Sequence, residues 1–240
     1  MNYDLENQSI QSVNFPLPGG NNQIKHLFEQ NIQSGKHALV IGPINNSIIT
    51  KLIGYFMEIH VIADSYDALM DIRAKLKPSD SVKIKMMDFK HTDFGENRFD
   101  LIYSQGTISV HERKNILKEI KRIASDDCLF CIGEIVSLKA PVPAFIKDIW
   151  ERSGLDPLPS ATLTQFYESK GFRIASEKDL SNTLINFYES VRDVVVEAKK
   201  DKKEMDKKYF SQMKHESNAF LKLGGDKYIG YKTLVMRKSN

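Results

Sequence analysis

Two acidic residues follow predicted apolar strands in the first half of the sequence. Asp64 comes directly after the run Val61-Ile62-Ala63, and Asp88 closes an alternating segment and precedes Phe89. A carboxylate offers two acceptor oxygens, so an acid at the end of a strand can bind both hydroxyl groups of a ribose. A polar residue followed by an aromatic one can bond the edge of an adenine ring and cover its face. The two positions together predict a nucleoside-binding site, although each acid could instead cap a helix or a turn.

Glycine and small polar residues end two further predicted strands, with Gly42-Pro43 after the first strand and Ser104-Gln105-Gly106 after the fourth. In an open parallel sheet, ligands bind beyond the carboxyl ends of the strands, at the point where the strand order reverses. The ends of strands one to four are therefore the informative positions. The predicted cofactor-binding residues are Gly42, Pro43, Asp64, Ser65, Asp88, Phe89, Ser104 and Gln105.

Two residues are candidates for a catalytic step. Glu134 lies at the end of the predicted fifth strand, where it could orient a hydroxyl group or attract an amine, or else be an exposed or paired carboxylate. His111 precedes the helix after the fourth strand and is either a base or a capping or surface histidine. Aromatic residues could also enclose a methylated amine through cation–π contacts, with core packing as the alternative for most of them. These aromatic residues are Tyr3, Tyr103, Trp150, Tyr167 and Tyr188.

Strand-like and helix-like segments alternate from residue 37 to residue 136. Continuous apolar runs predict strands buried on both faces, and one run that alternates apolar with basic residues predicts a strand near a sheet edge. The predicted strands are 37–41, 58–63, 82–88, 99–104 and 128–136. Apolar residues at helical spacing predict helices between them. Five such repeats indicate an α/β fold, in which a doubly wound parallel sheet with right-handed crossovers is covered by helices on both faces.

The rhythm changes on either side of this core. Helices are predicted at 22–33, 141–154 and 162–170, and one long helical segment is predicted at about 182–221. Two more strands are predicted at 172–175 and 228–237. The predicted organisation is an N-terminal lid and helix at 1–36, a cofactor-binding core at 37–136, a helical cap with the sixth strand at 137–223, and a final strand at 224–240 that completes the sheet.

The composition is typical of a globular protein with a sizeable core, because 41% of the 240 residues are hydrophobic. A net charge of +3 from 34 basic and 31 acidic residues calls for neither nucleic acid nor a membrane. The charged run 199–208 is interpreted as a solvated helix face, since it lacks interleaved aromatic residues. Neither a signal sequence nor a membrane span is visible, which predicts a soluble, cytoplasmic protein.

The two cysteines, Cys128 and Cys131, lie three positions apart in a predicted strand. Side chains at that spacing point to opposite faces of a strand, so the two sulfur atoms are poor partners for a disulfide or for one metal ion. We predict two buried free thiols and no metal site.

These motifs, taken in order, resemble those of the class I S-adenosylmethionine-dependent methyltransferases over residues 36–136. The segments that carry the resemblance are Leu39-Val40-Ile41-Gly42-Pro43, Ala63-Asp64, Met87-Asp88-Phe89 and Phe99-Asp100-Leu101-Ile102-Tyr103-Ser104. The later segments, from Lys178-Asp179-Leu180-Ser181 onward, are less specifically similar to small-amine N-methyltransferases. The resemblance implies a Rossmann-like, seven-stranded sheet with a reversed last strand, S-adenosylmethionine as cofactor and a small-molecule acceptor.

The glycine turn departs from the family's usual Gly-x-Gly-x-Gly pattern. Ile44 and Asn46 replace the second and third glycines, and Val40 stands where an acid is common. Glycine lets the backbone approach a ligand closely, so a β-branched side chain at position 44 is expected to crowd the methionine part of the cofactor. Either the loop takes another path or affinity for the cofactor is lost. If Ile44 only obstructs the cofactor, replacing it with glycine is expected to raise affinity, whereas unchanged or weaker binding would show that the loop has its own working geometry.

Three functions fit the sequence. The first is methyl transfer from S-adenosylmethionine to an amine or hydroxyl of a small molecule by in-line displacement, a reaction in which alignment and exclusion of water matter most. The second is a degenerate methyltransferase-like protein with a binding or scaffolding role, and it is favoured by the altered turn. The third is a nicotinamide-dependent reductase, against which stands the missing Gly-x-Gly-x-x-Gly motif. The sequence leaves a homodimer or a protein partner open.

Overall fold

The structure of the protein is a computed structural model that describes residues 16–76, 81–200 and 207–239. Tyr3 and the rest of residues 1–15, the first part of the predicted N-terminal lid and helix at 1–36, lie outside the described residues. So does much of the charged run at 199–208, and side chains are described only up to residue 197 and again from residue 211 in that region.

Strands and helices alternate along the described chain up to β5 with one exception. The expected alternation is wrong between β3 and β4, which are joined by a loop without a helix. The strands are β1 (Gly35–Ile41), β2 (Phe56–Ala63), β3 (Val82–Met86), β4 (Phe99–Gln105), β5 (Ala124–Ser137), β6 (Leu158–Pro159), β7 (Phe172–Asp179) and β8 (Ile229–Lys238). The α-helices are α1 (Gly20–Phe28), α2 (Asn46–Ile53), α3 (Tyr66–Lys75), α4 (Arg113–Ile123), α5 (Ala144–Arg152), α6 (Leu163–Ser169), α7 (Thr183–Lys200) and α8 (Lys207–Lys222).

The strands form one mixed sheet in the order β3-β2-β1-β4-β5-β8-β7, with the two-residue β6 paired to β5. The first five strands are parallel to one another, whereas β8 runs antiparallel to both β5 and β7. The predicted doubly wound sheet with a reversed last strand is therefore confirmed. The chain order reverses between β1 and β4, so the carboxyl ends of these strands flank the crevice in which such sheets bind ligands.

Apolar side chains cover both faces of the sheet, because alternate residues of each strand point to opposite sides. On one face the strands pack against α1, α2 and α3, and on the other they pack against α4 and α6. The two cysteines follow this alternation. Cys128 lies on the α4 side and Cys131 on the α1 side, both buried and both free, as predicted. Burial raises the pKa of the Cys131 thiol to about 12, which makes it unreactive at neutral pH.

The cap at the β8 side of the sheet consists of α5, α7 and α8. The prediction of one long helical segment at about 182–221 is wrong, because α7 and α8 are separate helices that pack on each other. Tyr188 of α7 stacks on Phe220 of α8 at a ring-centroid distance of 4.3 Å, and its hydroxyl donates to Glu216 at 2.9 Å. In a single extended helix, the apolar stripes of α7 and α8 could not pack on each other and would be exposed to water. None of the described helices is long and apolar enough to cross a membrane.

The N-terminal helix α1 is shorter than the predicted 22–33 and is fastened to the sheet by a buried amide. Gln23 Nε2 donates to the backbone carbonyl of Ser104 at 2.8 Å, and the Tyr231 hydroxyl donates to Gln23 Oε1. Both side chains are buried where β4, β5 and β8 run side by side. The space for this contact exists because Gly133 of β5 has no side chain, and a Cβ there would collide with both the hydroxyl and the amide.

We expect Gly133→Ala to lower the free energy of unfolding by about 1 to 3 kcal/mol, because the added methyl group forces apart Tyr231 and Gln23 in a packed interior. The matched control is Gly54→Ala, where φ is −72° and the nearest atom to a new Cβ lies 3.7 Å away. This control should stay within about 1 kcal/mol of the native protein. Urea unfolding measures both, and equal effects would contradict the packing described.

Candidate functional site

A cavity of about 570 Å³ lies at the carboxyl ends of β2, β3 and β4. Its volume is in the range of sites that hold small ligands or cofactors, about 300 to 1,000 Å³. The polar and apolar walls come from the loops after these strands and from the start of α4. The lining residues are Asp64, Met86, Met87, Asp88, Phe89, Lys90, Thr107, Val110, Glu112 and Ile116.

Three of the predicted cofactor-binding residues meet in this cavity. Asp64 follows β2 and is exposed, and Ser65 next to it caps α3 by accepting from Ala68 N at 3.3 Å. Asp88 follows β3, where its Oδ1 accepts from Lys90 N at 2.9 Å, and the carboxylate remains half-exposed. Phe89 is buried with one side against the cavity. An acid on one strand end and an acid with an aromatic ring on the next are brought together as predicted.

The other predicted cofactor-binding residues do not line the cavity. Gly42 and Ser104 are buried beside it, and Pro43 is exposed on the surface. Ser104 Oγ is buried without a hydrogen-bond partner among the described residues. Gln105 is occupied elsewhere, since its Nε2 donates to the carbonyls of Pro18 at 2.7 Å and Gly20 at 2.9 Å. These residues hold the chain around the crevice instead of facing the cavity itself.

The turn after β1 takes a path that the altered glycine pattern did not reveal. Gly42 has φ of 90°, and Thr107 from the loop after β4 fills the space where a Cβ would stand. Ile44 points away from the crevice into the core between α1 and α2, where it is 1% exposed. The expectation that Ile44 crowds the cofactor is therefore wrong for this structure. The Asn45 side chain accounts for the orientation of Ile44. It caps α2 by accepting from Ile48 N at 3.1 Å, and this cap directs Ile44 inward.

Glu134 is fully buried, with both of its oxygens already hydrogen bonded. Arg113 Nε donates to Oε1 at 2.9 Å and Arg113 Nη2 donates to Oε2 at 3.3 Å. The hydroxyls of Tyr167 and Ser109 donate to Oε1 and Oε2 respectively. Arg113 is itself only 3% exposed and also donates to the carbonyl of Asp156 at 2.6 Å. Glu134 thus joins β5 to α4, to α6 and to the loop after β4, and the paired carboxylate weighed at the sequence level is the one observed.

His111 lies at the edge of the cavity, between the lining residues Val110 and Glu112. Its side chain is 78% exposed, and its Nδ1 lies 3.5 Å from Asp156 Oδ2. The ring is a surface imidazole beside Asp156, and His111 does not itself line the cavity.

The predicted aromatic enclosure does not form from the described residues. Tyr103 and Tyr167 lie in the cores on opposite faces of the sheet, and Tyr188 and Trp150 lie in the cap. Core packing, the alternative given above, is what the structure shows for these rings. Tyr3 lies outside the described residues.

The loop between β3 and β4, which carries Asp88 and Phe89, is held in place by Glu119 of α4. Glu119 Oε1 accepts from Thr92 N at 2.8 Å, and Arg122 Nε donates to Oε2 at 2.9 Å. Burial alone would raise the pKa of Glu119, but the hydrogen bonds from Arg122 and Thr92 outweigh it and lower the pKa to about 2. The position of the loop that carries Asp88 and Phe89 therefore depends on the ionised carboxylate of Glu119.

Several residues of the site were missed at the sequence level. Thr107, Lys90 and Glu112 line the cavity, and Arg113 neutralises Glu134. Thr107 follows the predicted strand end at Ser104 by three positions, so extending the strand-end rule through the whole loop finds it. Nothing local marks Arg113, because its partner is 21 residues away.

Comparison with known proteins finds a family model that matches part of the chain. Residues 39–132 match the family model described as a methyltransferase domain. No curated protein matches the sequence. The resemblance to class I S-adenosylmethionine-dependent methyltransferases that the motifs indicate is confirmed by this match together with the fold.

Solved structures share the fold at low sequence identity. One is phosphoethanolamine N-methyltransferase 2 from Haemonchus contortus in complex with phosphomonomethylethanolamine and S-adenosylhomocysteine, with a TM-score of 0.73, 14% identity and coverage of 94% of this chain but 54% of that one. The cyclopropane synthase MmaA2 from Mycobacterium tuberculosis gives a TM-score of 0.74 at 13% identity, covering 90% and 83%. The [4+2]-cyclase SpnF gives 0.70 at 16% identity, covering 92% and 81%. This chain spans about half the length of the Haemonchus enzyme.

We expect Glu134→Ala to lower the free energy of unfolding by about 3 to 5 kcal/mol, because it leaves the buried Arg113 without a counter-charge. Glu168→Ala, on the exposed face of α6, is the control and should change stability by less than about 0.5 kcal/mol. Urea unfolding monitored by circular dichroism measures both. A Glu134→Ala protein of native stability without activity would instead support a direct catalytic role.

We expect acid to destabilise the protein partly through Glu119. A carboxylate whose folded pKa lies below its unfolded pKa contributes stability above about pH 5 and loses that contribution as the pH falls toward 2. Glu119→Gln should therefore be less stable than the native protein at pH 6, by about 2 kcal/mol, and the gap should narrow by pH 3. Unfolding in urea at a series of pH values measures the gap, with Glu168→Gln as control. A gap that does not change with pH would contradict the ionised Glu119.

Proposed function

We propose that this protein transfers a methyl group from S-adenosylmethionine to an amine or hydroxyl group of a small molecule. The observation that carries the proposal is the meeting of Asp64, Asp88 and Phe89 in one cavity at the carboxyl ends of β2 and β3. The match of residues 39–132 to a methyltransferase domain supports the same function.

The residues of the cavity fit the adenosine part of this cofactor. Asp64 offers two acceptor oxygens for the ribose hydroxyls, Asp88 is an acceptor for an amino group on the adenine edge, and Phe89 offers an apolar face. The methionine part would extend toward Thr107 and the crevice between β1 and β4, where Gly42 brings the backbone close and Ser104 Oγ has no partner among the described residues. When bound, the cofactor supplies a methyl group on a positively charged sulfur.

The chain's own contribution is alignment and exclusion of water, since displacement at a sulfonium methyl group does not require a dedicated base. We propose His111 as the group that accepts a proton from the acceptor, because it is exposed between the lining residues Val110 and Glu112, with Asp156 beside it. Glu134 acts as a positioning residue in this proposal. It fixes α4 and the loop that carries Thr107, Val110 and His111 against β5.

A second candidate function is binding of an adenosyl ligand without methyl transfer. It is favoured by the closed turn after β1, where Thr107 occupies the space beside Gly42 and Gln105 is engaged by the N-terminal turn. One of the proteins with a similar fold, SpnF, is a [4+2]-cyclase, so proteins with this fold are not all named for methyl transfer. The two candidates make the same prediction for adenosine recognition and differ in turnover.

We expect the protein to bind S-adenosylmethionine and S-adenosylhomocysteine, and Asp64→Asn to weaken both by about tenfold to 100-fold, because hydrogen bonds to a charged group contribute about 1.5 to 3 kcal/mol. Asp67→Asn is the matched control, since it removes an equally exposed acid from the first turn of α3 outside the cavity. Isothermal titration calorimetry measures both affinities. Native protein that binds neither ligand would overturn both candidate functions.

The acceptor is sought by incubating the protein with methyl-labelled S-adenosylmethionine and panels of small amines, phenols and carboxylates. Transfer of label to an amine or a hydroxyl, lost in Asp64→Asn and kept in Asp67→Asn, supports methyl transfer. Tight binding of the cofactor without label transfer to any panel member favours the second candidate.

A further inference from the structure

A compact group of side chains that can bind a metal ion lies at the end of the sheet opposite the cavity, near the amino ends of β1 and β2. His37 pairs across the strands with Glu58, and His60 follows two residues later along β2. Because side chains two apart on a strand share a face, all three point to the same side. Glu58 Oε2 lies 3.1 Å from His37 Nδ1 and 2.9 Å from His60 Nε2, and the three candidate ligand atoms all lie within 4.8 Å of one another.

Hydrogen bonds do not satisfy these atoms. Nε2 of His60 faces both Glu58 Oε2 and, at 3.2 Å, Arg98 Nη2. A neutral imidazole carries one N–H, so Nε2 either donates to Glu58 and opposes the Arg98 donor, or accepts from Arg98 and opposes the carboxylate. Nδ1 of His37 and Nδ1 of His60 have no hydrogen-bond partner among the described residues, although the His60 side chain is only 4% exposed. The candidate ligand atoms are His37 Nδ1, Glu58 Oε2 and His60 Nε2, which lie close together without a hydrogen-bond arrangement that satisfies all three.

Two cations compete for the same carboxylate. Lys83 pairs with Glu58 Oε1, and Arg98 Nη2 lies 3.4 Å from Oε2. Lys83 is half-exposed and can turn into solvent, whereas Arg98 lies over the rings of Phe94 and Phe99 at 5.3 and 5.7 Å and is one-third exposed. Lys83 is hydrogen bonded to neither histidine, and Arg98 only to His60, so among the described residues neither cation engages the nitrogen atoms of both histidines. An ion that binds here must displace one or both of these side chains, so its affinity depends on how strongly they hold Glu58.

The donor set selects the kind of ion. Two imidazole nitrogens with one carboxylate oxygen suit Zn²⁺ and related divalent transition metals, whereas Ca²⁺ and Mg²⁺ prefer sites made of oxygen atoms alone. His37 and Arg98 also line a cleft of about 1560 Å³, from which water or a ligand group can complete the coordination.

We propose that His37, Glu58 and His60 form a binding site for a divalent transition metal ion, Zn²⁺ in the first instance. The site is separate from the cofactor cavity, because it lies at the amino ends of the strands whose carboxyl ends carry Gly42 and Asp64. Its ligands come from two neighbouring strands, so a bound ion cross-links β1 to β2 and stabilises the folded chain.

The proposal is tested by titrating the full chain, freed of metal by chelator and dialysis, with Zn²⁺ against a chromophoric chelator, and with Co²⁺ while its visible absorption is recorded. We expect one equivalent of Zn²⁺ to bind and to raise the melting temperature by about 3 °C or more at saturation. His37→Gln and His60→Gln should each weaken binding by at least about tenfold, while His215→Gln, an exposed histidine on α8, should leave it unchanged.

Lys83→Ala gives the sharpest readout, because it removes a competing cation and no ligand. We expect it to bind Zn²⁺ several-fold more tightly than the native protein. If His60→Gln fails to fold because His60 is buried, the half-buried His37 still decides the outcome. Native protein that binds no stoichiometric Zn²⁺, or a His37→Gln variant that binds it as tightly as the native protein does, would overturn the proposal.

Discussion

The buried ion pair between Glu134 and Arg113 is the interaction on which the walls of the cavity depend. Moving a carboxylate and a guanidinium out of water costs several kcal/mol for each ion, and the cost is recovered only when every polar atom is matched. Here the carboxylate accepts from Arg113, Tyr167 and Ser109, which come from α4, from α6 and from the loop after β4. Those elements cannot shift independently without exposing an unpaired charge. The loop that forms one side of the cavity is therefore as rigid as the core beneath it.

The two loops at the strand-order switch shape where a ligand can lie. Gly42 after β1 and Thr107 after β4 touch, so the crevice between these strands is narrow at its base. The open volume lies toward β2 and β3, where Asp64 and Phe89 stand on either side. In the proposed function, the nucleoside part of the ligand therefore binds at the ends of β2 and β3, and the rest of the ligand lies in the narrower crevice between β1 and β4.

Much of this arrangement follows from the sequence, and the reasons are physical. A strand buried on both faces must be apolar at every position, which is why β2 and its end at Asp64 are visible in the sequence. Asp88 is visible for another reason, because β3 alternates apolar with basic residues as an edge strand does. The direction of Ile44 depends on the Asn45 cap of α2, which begins at Asn46. The paired carboxylate was an alternative for Glu134, but its partners could not be identified because they are distant in sequence. The boundary between α7 and α8 depends on their packing against each other, which no local pattern encodes.

The contact between Gln23 and Tyr231 has a consequence for how the chain reaches this state. These two residues lie 208 positions apart, yet they share a buried hydrogen bond at the centre of the sheet. During synthesis, α1 emerges before the described strands, but the hydroxyl that holds Gln23 arrives with β8. Until β8 joins the sheet, Gln23 has only its bond to the Ser104 carbonyl of β4, and loop closure over the longer distance is entropically slow. The buried contacts around α1 are therefore completed only after the 208 positions that separate Gln23 from Tyr231 have left the ribosome.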